Sequence, residues 1–264
     1  MFSLNNLEIL LKNPKYIRMY RYIHKMYKIP RYTKGVTNIL GTSLQFVDSA
    51  STIFMYKEIF EKHIYLFPTD TPAPYIIDCG SNIGLSVIYF KQQYPQAEIL
   101  AFEPDDNAYN CMAENIQNFA LSQVTMVKKA LWNVEGSLPF FSEGADGGRV
   151  AMSFDTTKLV TIDTVRLRSY LNRPVDFLKM DIEGAEYVVL EDSKDLLCNV
   201  KKIFVEYHSF VNKEQNLDKI LQIFREVGFR YYIEHIGIRS EHPYVSISEH
   251  LGMDLQINIY GYRS

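Results

Sequence analysis

Cysteine is scarce: Cys79, Cys111 and Cys198 are the only three in 264 residues, odd in number and far apart. That pattern matches neither zinc-ligand spacing nor a disulfide framework, and it points to a reducing, cytoplasmic setting. There is one tryptophan. No apolar run approaches the length of a membrane span. Neither sign of charge dominates, since 28 Lys and Arg stand against 31 Asp and Glu for a formal net charge of −3. The overall basic footprint of a nucleic-acid binder is therefore missing, and no such partner is expected. Internal repeats and low-complexity tracts are lacking as well. The opening stretch, MFSLNNLEILLKNPKY, breaks its apolar part with an acid and asparagines and does not read as a secretory leader.

What is present is ordinary for a globular protein, 47% hydrophobic and 22% charged. Residues 1–70 read as a mostly helical extension, punctuated by Pro30 and closed by the breaker-rich link of Pro68, Pro72 and Pro74. Residues 71–264 read as a second unit in which strands and helices alternate. Strands are expected at 75–79, 98–102, 124–128, 177–180 and 203–207, and helices at 85–93 and 106–119, the latter capped by Asp105 or Asp106. Short β-like pieces surround the glycine-rich GADGG (144–148), and FRYYIEHI and DLQINIY read as two closing strands. Asp163, in TIDTV, reads as a helix cap. The alternation implies an α/β fold with a mainly parallel sheet covered on both faces. Ligands of such sheets sit beyond the carboxyl ends of the strands, near the switch point in strand order.

One stretch narrows the ligand. In YIIDCGSNIG (75–84) an apolar strand ends at Asp78, and Gly80 and Gly84 follow in a turn that lets the backbone approach a cofactor. A dinucleotide fingerprint would want glycine where Asn82 stands. An acid at Asp78 would also repel a pyrophosphate, whereas it suits the cationic end of S-adenosylmethionine (SAM), which has no phosphate. Against this stands the plainer reading of a capped turn. The second signal is AFEPDD (101–106): Glu103 ends the next strand, 19 residues beyond Gly84, where an acid can accept hydrogen bonds from both ribose hydroxyls of an adenosine.

DCGSNIG, FEP, LKMDIEGAE (178–186) and EYH (206–208) together resemble the FkbM-type SAM-dependent methyltransferases. The resemblance spans roughly residues 45–235, with KMDIEGAE as its most specific part. It implies a Rossmann-like class I methyltransferase fold: a seven-stranded sheet with an antiparallel last strand, binding SAM. It further implies O-methylation, commonly of a sugar hydroxyl in a glycan, glycolipid or secondary metabolite. Carried onto this chain, the cofactor-binding set is Asp78, Gly80, Ser81, Asn82 and Gly84, then Glu103 and Pro104, with Ala130 and Leu131 lining the adenine and Asp181 beside the methyl group.

The reacting groups are sought at the next two strand ends. Lys179, Asp181 and Glu183 alternate, so they share a face while the chain is extended. Their charges on an otherwise apolar strand need a use or a partner. Glu206 and His208 also share a face, and a histidine with an ordinary pKa near 6.5 accepts a proton at neutral pH. Asp181, Glu206 and His208 are therefore the expected catalytic groups. They are also types that hold a divalent cation, and metal use stays open. Trp132 is either a stacking platform or core, and GADGG with Arg149 either a lid or a hairpin end. Residues 14–35 hold seven Lys or Arg and no acid, at helical spacing. That face reads either as peripheral contact with an anionic membrane or lipid-linked acceptor, or as the solvated side of a helix docked on its own domain. Two other readings remain open: a SAM-binding module without transfer activity, and a nicotinamide-dependent oxidoreductase.

Overall fold

The computed structural model describes residues 14–141, 148–150 and 159–263. The glycine-rich stretch expected as a lid or hairpin end falls outside these residues except for Gly148 and the backbone of Arg149.

The chain begins with α1 (Pro14–Met26) and an antiparallel pair, β1 (Gly35–Thr37) and β2 (Leu44–Phe46). Then α2 (Ser49–Tyr56) continues as a wider π-helical turn over Lys57–Glu61. The β-pair departs from a mostly helical reading, because strands of three residues are too short to show a two-residue period. Asp48 caps α2, its buried carboxylate accepting from the N–H groups of Ser51 and Tyr32. Ile23 and Met26 of α1 are buried in one core with Phe46, Ile53, Tyr65 and Phe90, while Arg18, Arg21, Lys25 and Lys28 stay in water. The helix therefore docks on its own chain and turns its basic face outward.

The alternating region follows: β3 (Tyr75–Cys79), α3 (Leu85–Gln93), β4 (Glu98–Phe102), α4 (Asp106–Asn118) and β5 (Val124–Val127). Asp105 is the cap of α4, accepting from Asn107 and Ala108 N–H. A smaller sheet interrupts the pattern, with β6 (Ala130–Leu131), β7 (Gly136–Phe141), β8 (Arg149–Val150) and β9 (Leu159–Val165) in the order β6-β9-β7-β8. Asp163 lies inside β9, opposite Ser137, whose hydroxyl donates to its carboxylate. It is not a helix cap: the β-branched neighbours in TIDTV favour a strand there.

The pattern resumes with β10 (Phe177–Met180), α5 (Glu186–Ser193), β11 (Lys202–Phe210), α6 (Leu217–Glu226), β12 (Arg230–Ile236) and β13 (Met253–Tyr262). The main sheet has seven strands in the order β12-β13-β11-β10-β3-β4-β5. All run parallel except β13, which is antiparallel to both neighbours. Strands buried on both faces are mainly apolar, which is why β3 and β10 read as short apolar runs interrupted only by Asp78 and Lys179, paired with each other across the two strands. From β3 the chain steps outward to β4 and β5, then returns to the other side of β3 with β10. Crossovers leave in opposite directions there, and a crevice opens above the carboxyl ends of β3 and β10.

Candidate active site

The crevice is shaped first by a glycine. Gly80 has φ +81°, and a Cβ built on it would lie 1.8 Å from the Asp181 carbonyl oxygen, so no side chain fits between the ends of β3 and β10. The backbone then turns through Asn82, itself at φ 49°, to Gly84 at the start of α3. Asn82 N–H donates to Glu103 Oε2 at 2.8 Å, and Asp105 N–H donates to Glu103 Oε1 at 2.9 Å. Ser81 Oγ donates to the Asp78 carbonyl. Glu103 is thereby fixed, only 6% exposed, and turned to the cavity. Burial raises its pKa to about 7, against the two backbone donors that favour the ionised form.

One cavity gathers Gly80, Ser81, Asn82, Glu103 and Pro104 on one wall and Ala130 and Leu131 on another. Gly84 lies behind the turn, where a Cβ would meet Met112. Trp132 is half-buried and does not line the cavity, whereas Gly148 does. Asp78 stands apart from the expectation that its charge faces a ligand. It is fully buried beneath the turn, accepts from Ser86 Oγ at 2.5 Å and lies 3.4 Å from Lys179 Nζ. The parallel register makes Asp78 and Lys179 direct partners across β3 and β10, and a buried acid takes the nearest cation.

Lys179 links both strands to the charged end of the cavity. Its ammonium also lies 3.3 Å from Asp181 Oδ2 and donates to the Gly80 carbonyl. Burial opposes its charge, but Asp181 and Asp78 outweigh that and hold its pKa well above the ordinary value. Asp181 and Glu206 both line the cavity. Burial, and then the neighbouring Glu206, raise Asp181, with Lys179 working the other way.

His208 sits behind this pair, 4% exposed and not on the cavity wall. Its Nδ1 is 3.0 Å from Glu186 Oε1. Its Nε2 faces Glu206 Oε1 at 3.5 Å, Glu183 Oε2 at 3.7 Å and Asp181 Oδ1 at 3.9 Å. Burial disfavours the imidazolium, but Glu183, Glu186 and Glu206 together overcome it and push the pKa well above 6.5. Among these acids His208 holds a proton more firmly than a histidine with an ordinary pKa, which does not suit it to be the base expected. Two of them arrive through a tight turn, with Glu183 at φ 55° and Gly184 at φ 92°.

Sequence reasoning missed two parts of the cavity. Gln256 reaches it because antiparallel β13 pairs it with His208, a contact that no local pattern reveals. Part of the lining also comes from the N-terminal segment, through Phe54, Met55, Glu58, Ile59, Ile64 and Tyr65. The π-helical turn at 57–61 is the local sign of it, and such turns cluster at functional sites.

Residues 78–231 match the family described as "Methyltransferase FkbM domain". Methyltransferase sdnD of Sordaria araneosa is 34% identical over 191 residues, covering 56% of this chain and 72% of its own. The 2-O-methyltransferase NoeI of Sinorhizobium fredii is 26% identical over 161 residues, covering 52% of this chain and 65% of its own. Among solved structures, a methyltransferase FkbM from Methylobacillus flagellatus has the same fold, with a TM-score of 0.51 at 14% identity. The alignment covers 93% of this chain and 59% of that longer one.

Proposed function

The chain belongs to the FkbM methyltransferase family, whose methyl donor is SAM, and from that premise we propose that it methylates a hydroxyl of a polyhydroxylated, sugar-like group carried on a partly apolar molecule. Membership removes the nicotinamide-dependent reading.

The residues present fit the donor. Glu103 is a buried acceptor held by two backbone donors and turned to the cavity, which suits ribose hydroxyls. Ala130 and Leu131 give an apolar wall for adenine. The turn at Gly80–Asn82 offers close backbone approach, and Asp181 and Glu206 favour a cationic group at the far end. When bound, SAM supplies a methyl group on a sulfonium, already activated for displacement.

The protein's own task is to align the acceptor and accept its proton. Asp181 and Glu206, close together and with Asp181 raised, favour proton uptake by the carboxylate cluster. As the acceptor oxygen gains its bond to the methyl carbon, its O–H bond breaks and the proton goes to that cluster. Lys179 keeps Asp181 in place without filling the cavity. The observation that carries this reading is the placement of Glu103 and the Asp181–Glu206 pair in one cavity above the β3/β10 switch point.

Acceptor chemistry is read from the N-terminal part of the lining, with Gln256. Phe54, Met55, Ile59 and Ile64 present an apolar surface, while Glu58 and Gln256 offer hydrogen bonds, a pairing that suits an amphipathic glycoside. That a relative is named a 2-O-methyltransferase supports the hydroxyl. The test is methyl transfer from labelled SAM to a panel of glycosides, glycolipids and matched amines. Transfer to hydroxyls is expected, with Asp181→Asn slowing turnover by roughly 10²–10⁴-fold. Transfer to amines alone would sink the reading.

A further inference from the structure

We propose that Asp181, Glu206 and His208 bind a divalent metal ion at the acceptor end of the cavity. One ligand atom from each lies within 4.8 Å of the others. The His208 Nε2 contacts with Glu206, Glu183 and Asp181, at 3.5, 3.7 and 3.9 Å, are longer than good hydrogen bonds. They match a different spacing. Ligand atoms each about 2.0–2.3 Å from a shared ion stand roughly 3–4 Å from one another.

His208 itself is the independent sign. It is a buried imidazole with Nδ1 held by Glu186, the outer-shell carboxylate that typically orients a ligating histidine. Its other nitrogen points into the carboxylates, and its shortest contact is 3.4 Å, to the Gln256 side-chain amide. The same amide nitrogen donates to Glu206 Oε1 at 2.6 Å. Charge balance points the same way. Asp181, Glu183 and Glu206 face His208 Nε2, and the nearby Lys179 is already shared with Asp78; the ion would take the place of the proton on that nitrogen. Acids gathered out of water are costly without countercharge. A mixed imidazole and carboxylate set suits a first-row dication such as Mn²⁺ or Zn²⁺ better than Ca²⁺.

What the ion does rests on the methyl-transfer reading, although its existence does not. It would take the acceptor hydroxyl as a further ligand and ease loss of the hydroxyl proton. With Asp181 and Glu206 engaged by the ion, the proton would pass to Glu183 instead, which faces the same point and lines the cavity.

The test uses the full chain stripped with EDTA, without SAM, titrated with MnCl₂ while the electron paramagnetic resonance signal of free Mn²⁺ is followed. Saturable uptake of one ion per chain is expected. Glu206→Gln and His208→Gln should each weaken it by at least about 10-fold, with circular dichroism melts establishing that both variants fold. Glu103→Gln, at the other end of the cavity, should bind Mn²⁺ like the parent. Absence of uptake by the parent, or unchanged uptake in both ligand variants, would overturn the site. Uptake in a chain that methylates no hydroxyl would keep the site and remove its use. Full methyl transfer in EDTA without uptake would overturn the site and keep the reaction.

Discussion

Replacing Glu103 by glutamine separates the two consequences of burying a carboxylate beside the cavity. In the folded chain its pKa rises from 4.5 to about 7. The folded state then holds a proton that the unfolded state has released, so the group's contribution to stability is fully present below pH 4.5 and is lost as pH rises through about 7. At about 1.4 kcal/mol per pKa unit, the whole effect is about 3 kcal/mol, of which roughly 2.5 kcal/mol falls between about pH 5 and pH 8. Glutamine has no proton to lose. Relative to the parent, Glu103→Gln should therefore gain roughly 2.5 kcal/mol between these two pH values. The offset at a single pH is less informative. An amide has one acceptor oxygen, so either Asn82 N–H or Asp105 N–H loses its partner, at a cost of about 1–3 kcal/mol. Urea denaturation of both proteins at both pH values reads the difference directly, and other titrating groups cancel. The same change replaces charge-assisted ribose bonds by neutral ones. Calorimetry at about pH 8 should show S-adenosylhomocysteine binding weakened roughly 10–100-fold. Parallel stability profiles together with unchanged affinity would refute both the buried charge and the ribose contact.

Further outcomes follow from the same geometry. Gly80→Ala places a methyl group 1.8 Å from the Asp181 carbonyl at a φ that L-residues rarely adopt; it should cost roughly 3 kcal/mol or more by thermal denaturation. Phe54→Ala removes part of the apolar wall and should raise KM for an amphipathic glycoside roughly 5–10-fold with little change in kcat; an unchanged KM would remove Phe54 from acceptor binding. The outward basic face of α1 should hold the chain on anionic vesicles at low salt and release it at high salt. Negligible co-sedimentation of the parent at low salt would refute lipid contact, and Arg18→Glu with Lys25→Glu should abolish it.

Much of this was legible because burial leaves simple marks. Strands covered on both faces are short, mainly apolar runs, so the bounds of β3, β4 and β10 follow from the sequence, as do the glycine turn and Glu103. Contacts set by register are a different matter. Nothing around Asp78 shows that Lys179, 101 residues later, will lie beside it, and Gln256 meets His208 only because β13 runs antiparallel. The protonation of His208 was illegible for the same reason. Two of its acids reach it through the turn at Glu183 and Gly184, and no spacing rule counts charges brought together that way.

The acid at the end of β3 nevertheless bears on the cofactor, by an indirect route. Asp78 never reaches the cavity, yet it helps fix the Lys179 ammonium, which also holds Asp181 and the Gly80 carbonyl. One buried cation thereby couples the cofactor turn to the reacting carboxylate across the switch point. Without Asp78, Lys179 would neutralise Asp181 more completely and draw it away from the acceptor. With Asp78 present the ammonium is divided between two acids, and Asp181, raised by burial and by Glu206, keeps its affinity for a proton. A negative charge that repels phosphate in a dinucleotide site would here act on the reaction through a lysine.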